Sequence, residues 1–157
     1  MASGVKANSE CKKVFEKLMR PETSHVKDEG EEEIGRFVIM KLNENNSEII
    51  VEYKSKPEET FDDFRALMDA AAKAGEGRYA FYDVLKSDQD EKAHKGAKGD
   101  MAMIVWCSDE ECGIKQKMLY SSSKSALKKA CTGFKKEFQV NDLADLTLEE
   151  LQSKFKK

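Results

Sequence analysis

Between Ile114 and Lys128 the chain sets two apolar side chains, Ile114 and Met118, among Lys115, Lys117, Lys124 and Lys128. No histidine or carboxylate stands among them, so the chemistry on offer is recognition rather than catalysis. An apolar anchor supplies contact energy, and lysines draw in a negatively charged partner. On an ideal helix at about 100° per residue, Leu119, Tyr120, Ser123, Ala126, Leu127, Ala130 and Cys131 share an arc of roughly 140°. That arc is a core-facing stripe. Ile114 and Met118 point the opposite way, one turn apart, with lysines on their flanks. The plain alternative is a solvated basic face with two stray apolar residues, which protein surfaces commonly carry.

Other reactive residues are placed less suggestively. His25 and His94 fall in expected loops without apolar neighbours, whereas a catalytic base needs shielding and an orienting partner. The carboxylates Asp62–Asp63 and Asp109–Glu111 sit at expected helix starts, where capping and the helix dipole account for them. No glycine-rich phosphate-binding motif occurs. An enzyme is therefore not expected, nor is a cofactor. Cys107 and Cys112 are five apart, unlike the short spacing of most zinc sites. A site recruiting His94 or Cys131 is the metal arrangement this spacing leaves open. Four buried or half-buried free thiols, Cys11, Cys107, Cys112 and Cys131, are the expectation instead.

A chain of 157 residues, 36% of them charged and only two of them proline, predicts one compact domain spanning 1–157. Net charge is only −3, yet Glu29 to Glu33 is an acidic patch and Lys115 to Lys136 is basic. Local basicity of that kind suits a negatively charged partner. No apolar run approaches the roughly 20 residues of a membrane span. MASGVKANSE lacks an apolar signal core, so a cytoplasmic location is expected.

These residues need a scaffold, and periodicity supplies one. Met1 to Ala7 has no period and reads as a flexible arm carrying Ser3 beside Gly4. Asn8 is a candidate N-cap for an amphipathic helix through Cys11, Val14, Phe15, Leu18 and Met19, ended by Pro21. The acidic stretch Glu22 to Gly35 reads as a loop. RFVIMKL and SEIIVEYKS around an Asn-rich turn predict a hairpin. Thr60 with Asp63 predicts a capping box on a helix through Phe61, Phe64, Leu67, Met68 and Ala71, stopped by Gly75 and Gly77. RYAFYDV and MAMIVWCS are strands, the second apolar enough to be covered on both faces. The charged stretch Ser87 to Asp100 between them reads as an exposed loop. The long helix, Ile114 to Gly133, follows, then a short strand over Phe134 to Val140. Asp142 to Asp145 is a turn, and Thr147 caps a last helix with Leu148, Leu151 and Phe155 inward. Short connections imply antiparallel pairing among the first four strands. The helical crossover makes the fifth parallel to the fourth. The expected class is α/β: a mixed five-stranded sheet, four antiparallel strands plus one parallel, with helices on both faces.

Several blocks, in this order, resemble the ADF/cofilin family of actin-binding proteins. They are MASGV, RFVIMKL, EIIVEY, TFDDF, RYAFYDV, IVWCSD, and KQKMLYSSSKSALKK leading into TGFKKEFQVND, and they extend over nearly the whole chain. KMLYSSSK after a Trp-ending strand is the most specific of them. The resemblance implies the ADF-homology fold and a protein that binds ADP-actin monomers and filament sides, and severs or depolymerises filaments. It implies a monomer-binding face of Ser3, Gly4, Val5, Lys115, Lys117 and Met118, to which the helical wheel adds Ile114. By position it implies a filament face of Lys95, Lys98, Lys154 and Lys156. Asp100 stands where some members carry a second basic residue.

The resemblance further implies phosphorylation at Ser3. Phosphoinositide lipids are a second expected partner, through Lys115, Lys117, Lys124 and Lys128, since lysines serve both ligands. Nucleic acid is not expected, because the basic face lacks stacking aromatics and arginine. The protein is expected to be monomeric. Lys136 stands where some animal members have histidine, so little pH control is expected there. Glu22 to Gly35 has the length of the vertebrate insertion without its basic run. Relatives that bind actin or actin-related proteins without severing remain the alternative, as does a phosphoinositide-binding module.

Overall fold

The computed structural model describes residues 5–19, 35–56, 58–84 and 101–155, with the backbone alone for Met19, Lys154 and Phe155. The expected loops between Glu22 and Gly35 and between Ser87 and Asp100 fall almost wholly outside these residues, as do His25 and His94.

Strands β1 (Lys6–Ala7), β2 (Phe37–Leu42), β3 (Glu48–Lys54), β4 (Arg78–Asp83), β5 (Met101–Trp106) and β6 (Lys136–Val140) form one sheet. Its order is β1-β3-β2-β4-β5-β6. Helices α1 (Ser9–Met19), α2 (Phe61–Lys73), α3 (Ile114–Ala130) and α4 (Leu148–Phe155) cover it. The β3-β2-β4-β5 run is antiparallel, and β6 joins β5 in parallel after the α3 crossover. That matches the α/β expectation with one correction. Among the described residues the sheet has six strands, because Lys6 and Ala7 pair in parallel with Glu48 and Ile49. The arm therefore does not extend to Ala7. Asn8 N–H donates to the Ile49 carbonyl at 2.8 Å, and its side-chain amide donates to Glu48 at 2.6 Å. Two residues are too few to show a strand period, so this pairing had no sequence signal.

Local chemistry accounts for the element boundaries. Asn8 Oδ1 accepts from Glu10 N–H and starts α1. Thr60 and Asp63 form the reciprocal capping box that starts α2, a motif worth about 1 kcal/mol. Gly75 ends α2 with φ 77°, a conformation costly to any residue with a Cβ. Thr147 Oγ1 accepts from Glu150 N–H at the start of α4. The long helix stops at Ala130, short of Gly133, and β6 begins at Lys136 rather than Phe134.

Two cores follow from strand alternation. On one face of the sheet, Val38, Met40, Tyr79, Phe81, Met103 and Val105 pack under α1 and α3. On the other, Phe37, Ile39, Tyr82, Ile104 and Trp106 pack under α2 and α4. Every residue of β4 and β5 is buried, as strands covered on both faces must be. Trp106 Nε1 donates to the Met68 carbonyl at 2.8 Å and ties β5 to α2.

Candidate functional site

The outer face of α3 is the candidate site, and its inner face explains why it stands where it does. Tyr120, Ser123 and Leu127 are buried, as is the capping Cys131. Leu119, Ala126 and Ala130 pack partly against the same core. Tyr120 Oη accepts from Leu42 N–H at 3.0 Å, and Tyr79 Oη donates to the Tyr120 carbonyl. These contacts fix the rotation of the helix about its own axis. With that rotation set, Ile114 and Met118 are thrust outward, 76% and 66% exposed, the two large exposed hydrophobics among the described residues. Both faces of the helix thus fall where the wheel placed them.

The lysines differ from one another in ways that composition does not reveal. Lys115 is exposed and makes no ion pair among the described residues. Lys117 Nζ lies 2.7 Å from Asp109, a contact that raises its pKa. Lys124 and Lys128 each sit 2.8 Å from an oxygen of Glu137. Burial works to raise the Glu137 carboxyl, but the two ammonium groups outweigh it and hold the carboxyl below its ordinary range. Three of the four lysines expected to meet phosphoinositides are therefore already paired with a carboxylate.

The turn before α3 is braced from β6. Asp109 N–H donates to the Asn141 carbonyl at 2.8 Å, and the Asn141 amide donates to the Cys107 carbonyl at 2.9 Å. Ser108 accepts from Cys112 N–H through its carbonyl and from Glu111 N–H through its hydroxyl. Strand β1 lies alongside α3. Val5 is half-buried against the α1–α3 core.

Of the expected site residues not yet placed, Lys154 alone falls among the described ones, with its backbone only. Ser3, Gly4, Lys95, Lys98, Asp100 and Lys156 lie outside the described residues. Lys154 is on α4, which packs against the opposite layer of the sheet from α3. One contact was missed from sequence. Gln116 Oε1 accepts from Gly77 N–H at 3.0 Å. The available signal was a polar residue on the core side of the helical wheel.

The chemistry of the other reactive groups is quiet. All four cysteines are free and buried. Burial pushes the thiols of Cys107 and Cys131 up to about 12 and that of Cys11 to about 11, so they remain protonated and poorly nucleophilic. No cluster of metal-ligating side chains occurs among the described residues. A shallow cleft of about 670 Å³ lies between the starts of α2 and α4. Its arginines are occupied by backbone: Arg36 donates to the Glu59 carbonyl, and Arg65 to those of Leu143 and Leu146. Among the described residues, no helix is long and apolar enough to cross a membrane.

Comparison with known proteins concerns the chain as a whole. A family model described as cofilin/tropomyosin-type actin-binding protein matches residues 4–156. Actophorin of Entamoeba histolytica is 36% identical over 121 residues, which cover 77% of this chain and 80% of that protein. Cofilin of Schizosaccharomyces pombe is 33% identical over 152 residues, covering 97% and 95% of the two chains. The crystal structure of Streptomyces griseoflavus cofilin superposes with a TM-score of 0.70 at 29% identity, covering 96% of each chain.

Proposed function

The chain belongs to the ADF/cofilin family of actin-binding proteins, and on that premise we propose that it docks on actin through the outer face of α3. Ile114 and Met118 are the apolar anchor, and Lys115 and Lys117 steer it toward acidic groups on actin. The observation that carries this reading is the exposure of two large apolar residues, one turn apart, on a helix whose other face is locked into the core. A helix that is fixed from behind and apolar in front presents a preformed surface, which lowers the ordering cost of association.

The activity that follows is actin depolymerisation: preference for ADP-actin monomers, binding to filament sides, and severing. Filament binding draws on a second surface, Lys95, Lys98, Lys154 and Lys156. Severing is differential binding, in which the protein favours one filament geometry over another and so weakens neighbouring subunit contacts. Ser3, Gly4 and Val5 are the N-terminal members of the same monomer-binding set. A phosphate on Ser3 adds about −1.5 to −2 charges and repels an acidic partner. Phosphoinositides compete through Lys115, with Lys117 available once it leaves Asp109 and Lys124 and Lys128 once they leave Glu137. The protein works as a monomer on the cytoplasmic cytoskeleton.

Sedimentation of actin filaments beside direct imaging tests this reading. The protein is expected to move actin into the supernatant and to produce breaks along filaments, and Ser3-phosphorylated protein is expected to do neither. Filaments decorated by the unmodified protein without breakage or loss would favour a relative that binds without severing.

A further inference from the structure

The first turn of α3 is the least self-sufficient part of the helix. Its N-cap is Gly113, which provides no side-chain hydrogen bond, and no acidic residue lies in the turn. Instead it carries Lys115 and Lys117, positive charges at the positive end of the helix dipole. A turn of this composition frays unless something outside the helix holds it. Yet this is the turn that presents Ile114 and Met118.

Among the described residues, two side-chain contacts hold it from outside. Lys117 reaches back to Asp109, but both side chains are substantially exposed, 35% and 64%, and exposed ion pairs hold little. The second contact is of another kind. Gln116 is half-buried on the core side of the turn, and its Oε1 accepts from the backbone N–H of Gly77 at 3.0 Å. Gly77 is pressed against the helix: a Cβ there would meet Tyr120 Cδ2 at 2.9 Å and the Trp106 carbonyl oxygen at 3.0 Å. The next residue, Arg78, is itself locked, buried and donating to Glu52 at 2.7 Å and Glu76 at 2.9 Å. Gly77 is thus a rigid point, and Gln116 is the side chain that ties the uncapped turn to it.

We propose that Gln116 is a positioning residue for the docking face. Its hydrogen bond to Gly77 sets where the first turn of α3 presents Ile114, Lys115, Lys117 and Met118. The proposal rests on the docking reading given above. Gln116 need not touch the partner; its side chain faces inward while its neighbours face out. Without the acceptor, the Gly77 N–H loses its bond and the turn samples frayed states. Binding must then select the ordered fraction, so affinity falls in proportion to that fraction.

The test uses the full chain with Gln116→Met and Gln116→Glu. Methionine keeps length and helix propensity and removes the acceptor; glutamate keeps an acceptor. Amide hydrogen exchange at Gly77 and Met118 is measured beside affinity for ADP-actin monomers and thermal stability. Gln116→Met is expected to speed Gly77 exchange about tenfold or more and to weaken binding roughly three- to tenfold. Gln116→Glu is expected to restore protection at Gly77 and to bind within about threefold of wild type. Lys115→Ala with Lys117→Ala serves as the control for the docking face. Unchanged affinity in Gln116→Met, beside a loss in the lysine variant, overturns the positioning role and leaves the docking face standing. Unchanged affinity in both overturns the docking face and this proposal with it. Equal loss in Gln116→Met and Gln116→Glu, with Gly77 still protected in the latter, also overturns the role of the hydrogen bond.

Discussion

The two faces of α3 are built from the same stretch of chain and obey opposite rules. The inner face, Tyr120, Ser123 and Leu127, is buried and hydrogen-bonded to β2 and β4. Truncation there leaves a cavity or an orphaned polar group. The outer face leaves Ile114 and Met118 largely in water, although each would be stabilised by burial of its apolar area. Nothing in the fold rewards those two residues where they are, and nothing in the helix rewards two lysines in its first turn. On the docking reading proposed above, stability and docking fall to residues only one or two positions apart. The contrast teaches that a residue's contribution on this helix is set by its angle about the axis and hardly at all by its place in the chain.

Two perturbations bear on that contrast, the stronger first. Leu127→Ala removes a fully buried side chain from the α1–α3 core and is expected to destabilise by about 2–5 kcal/mol. Urea unfolding measures this. Actin affinity of the molecules that remain folded should stay close to wild type, and a stability loss below about 1 kcal/mol would place Leu127 in a forgiving site.

A smaller effect is expected at the seam between the faces, where Glu137 joins Lys124 and Lys128. Its folded carboxyl lies below the ordinary value of 4.5. The ionised group therefore contributes stability that is present above that value and is lost as pH falls through the lower, folded one. Glu137→Gln is expected to cost about 1 kcal/mol or less at neutral pH and to flatten this part of the acid limb. It also frees two lysines, so binding to phosphoinositide vesicles should rise. Identical acid unfolding of the two proteins would show that the pair contributes nothing.

How much of this was legible from the chain depends on the range of the interaction. The helical wheel places both faces of α3, because a helix repeats within a few residues. The Thr60–Asp63 capping box is read as easily, since its partners are three apart. The parallel β5–β6 pair follows from handedness and the helix between them. What escapes is pairing between distant segments. β1 is recognisable only beside β3, and half-burial of Val5 follows from that pairing. The lysines of α3 look equivalent until Glu137 and Asp109 come into range from β6 and from the preceding turn. Gly77 reads as a helix stop, yet Gly75 performs that role, and Gly77 is glycine because the backbone lies against Tyr120.

The central claim is that the outer face of α3 serves docking and not stability. Its most direct test is the double variant Ile114→Ala, Met118→Ala, with affinity for ADP-actin monomers and thermal unfolding measured on the same preparation. Affinity is expected to fall about tenfold or more, the scale of losing two anchor residues at an interface centre. The unfolding midpoint is expected to move by no more than about 2 °C, since surface substitutions of this kind stay within about 0.5 kcal/mol. Unchanged affinity, or a midpoint that falls as far as it does in Leu127→Ala, would contradict the account.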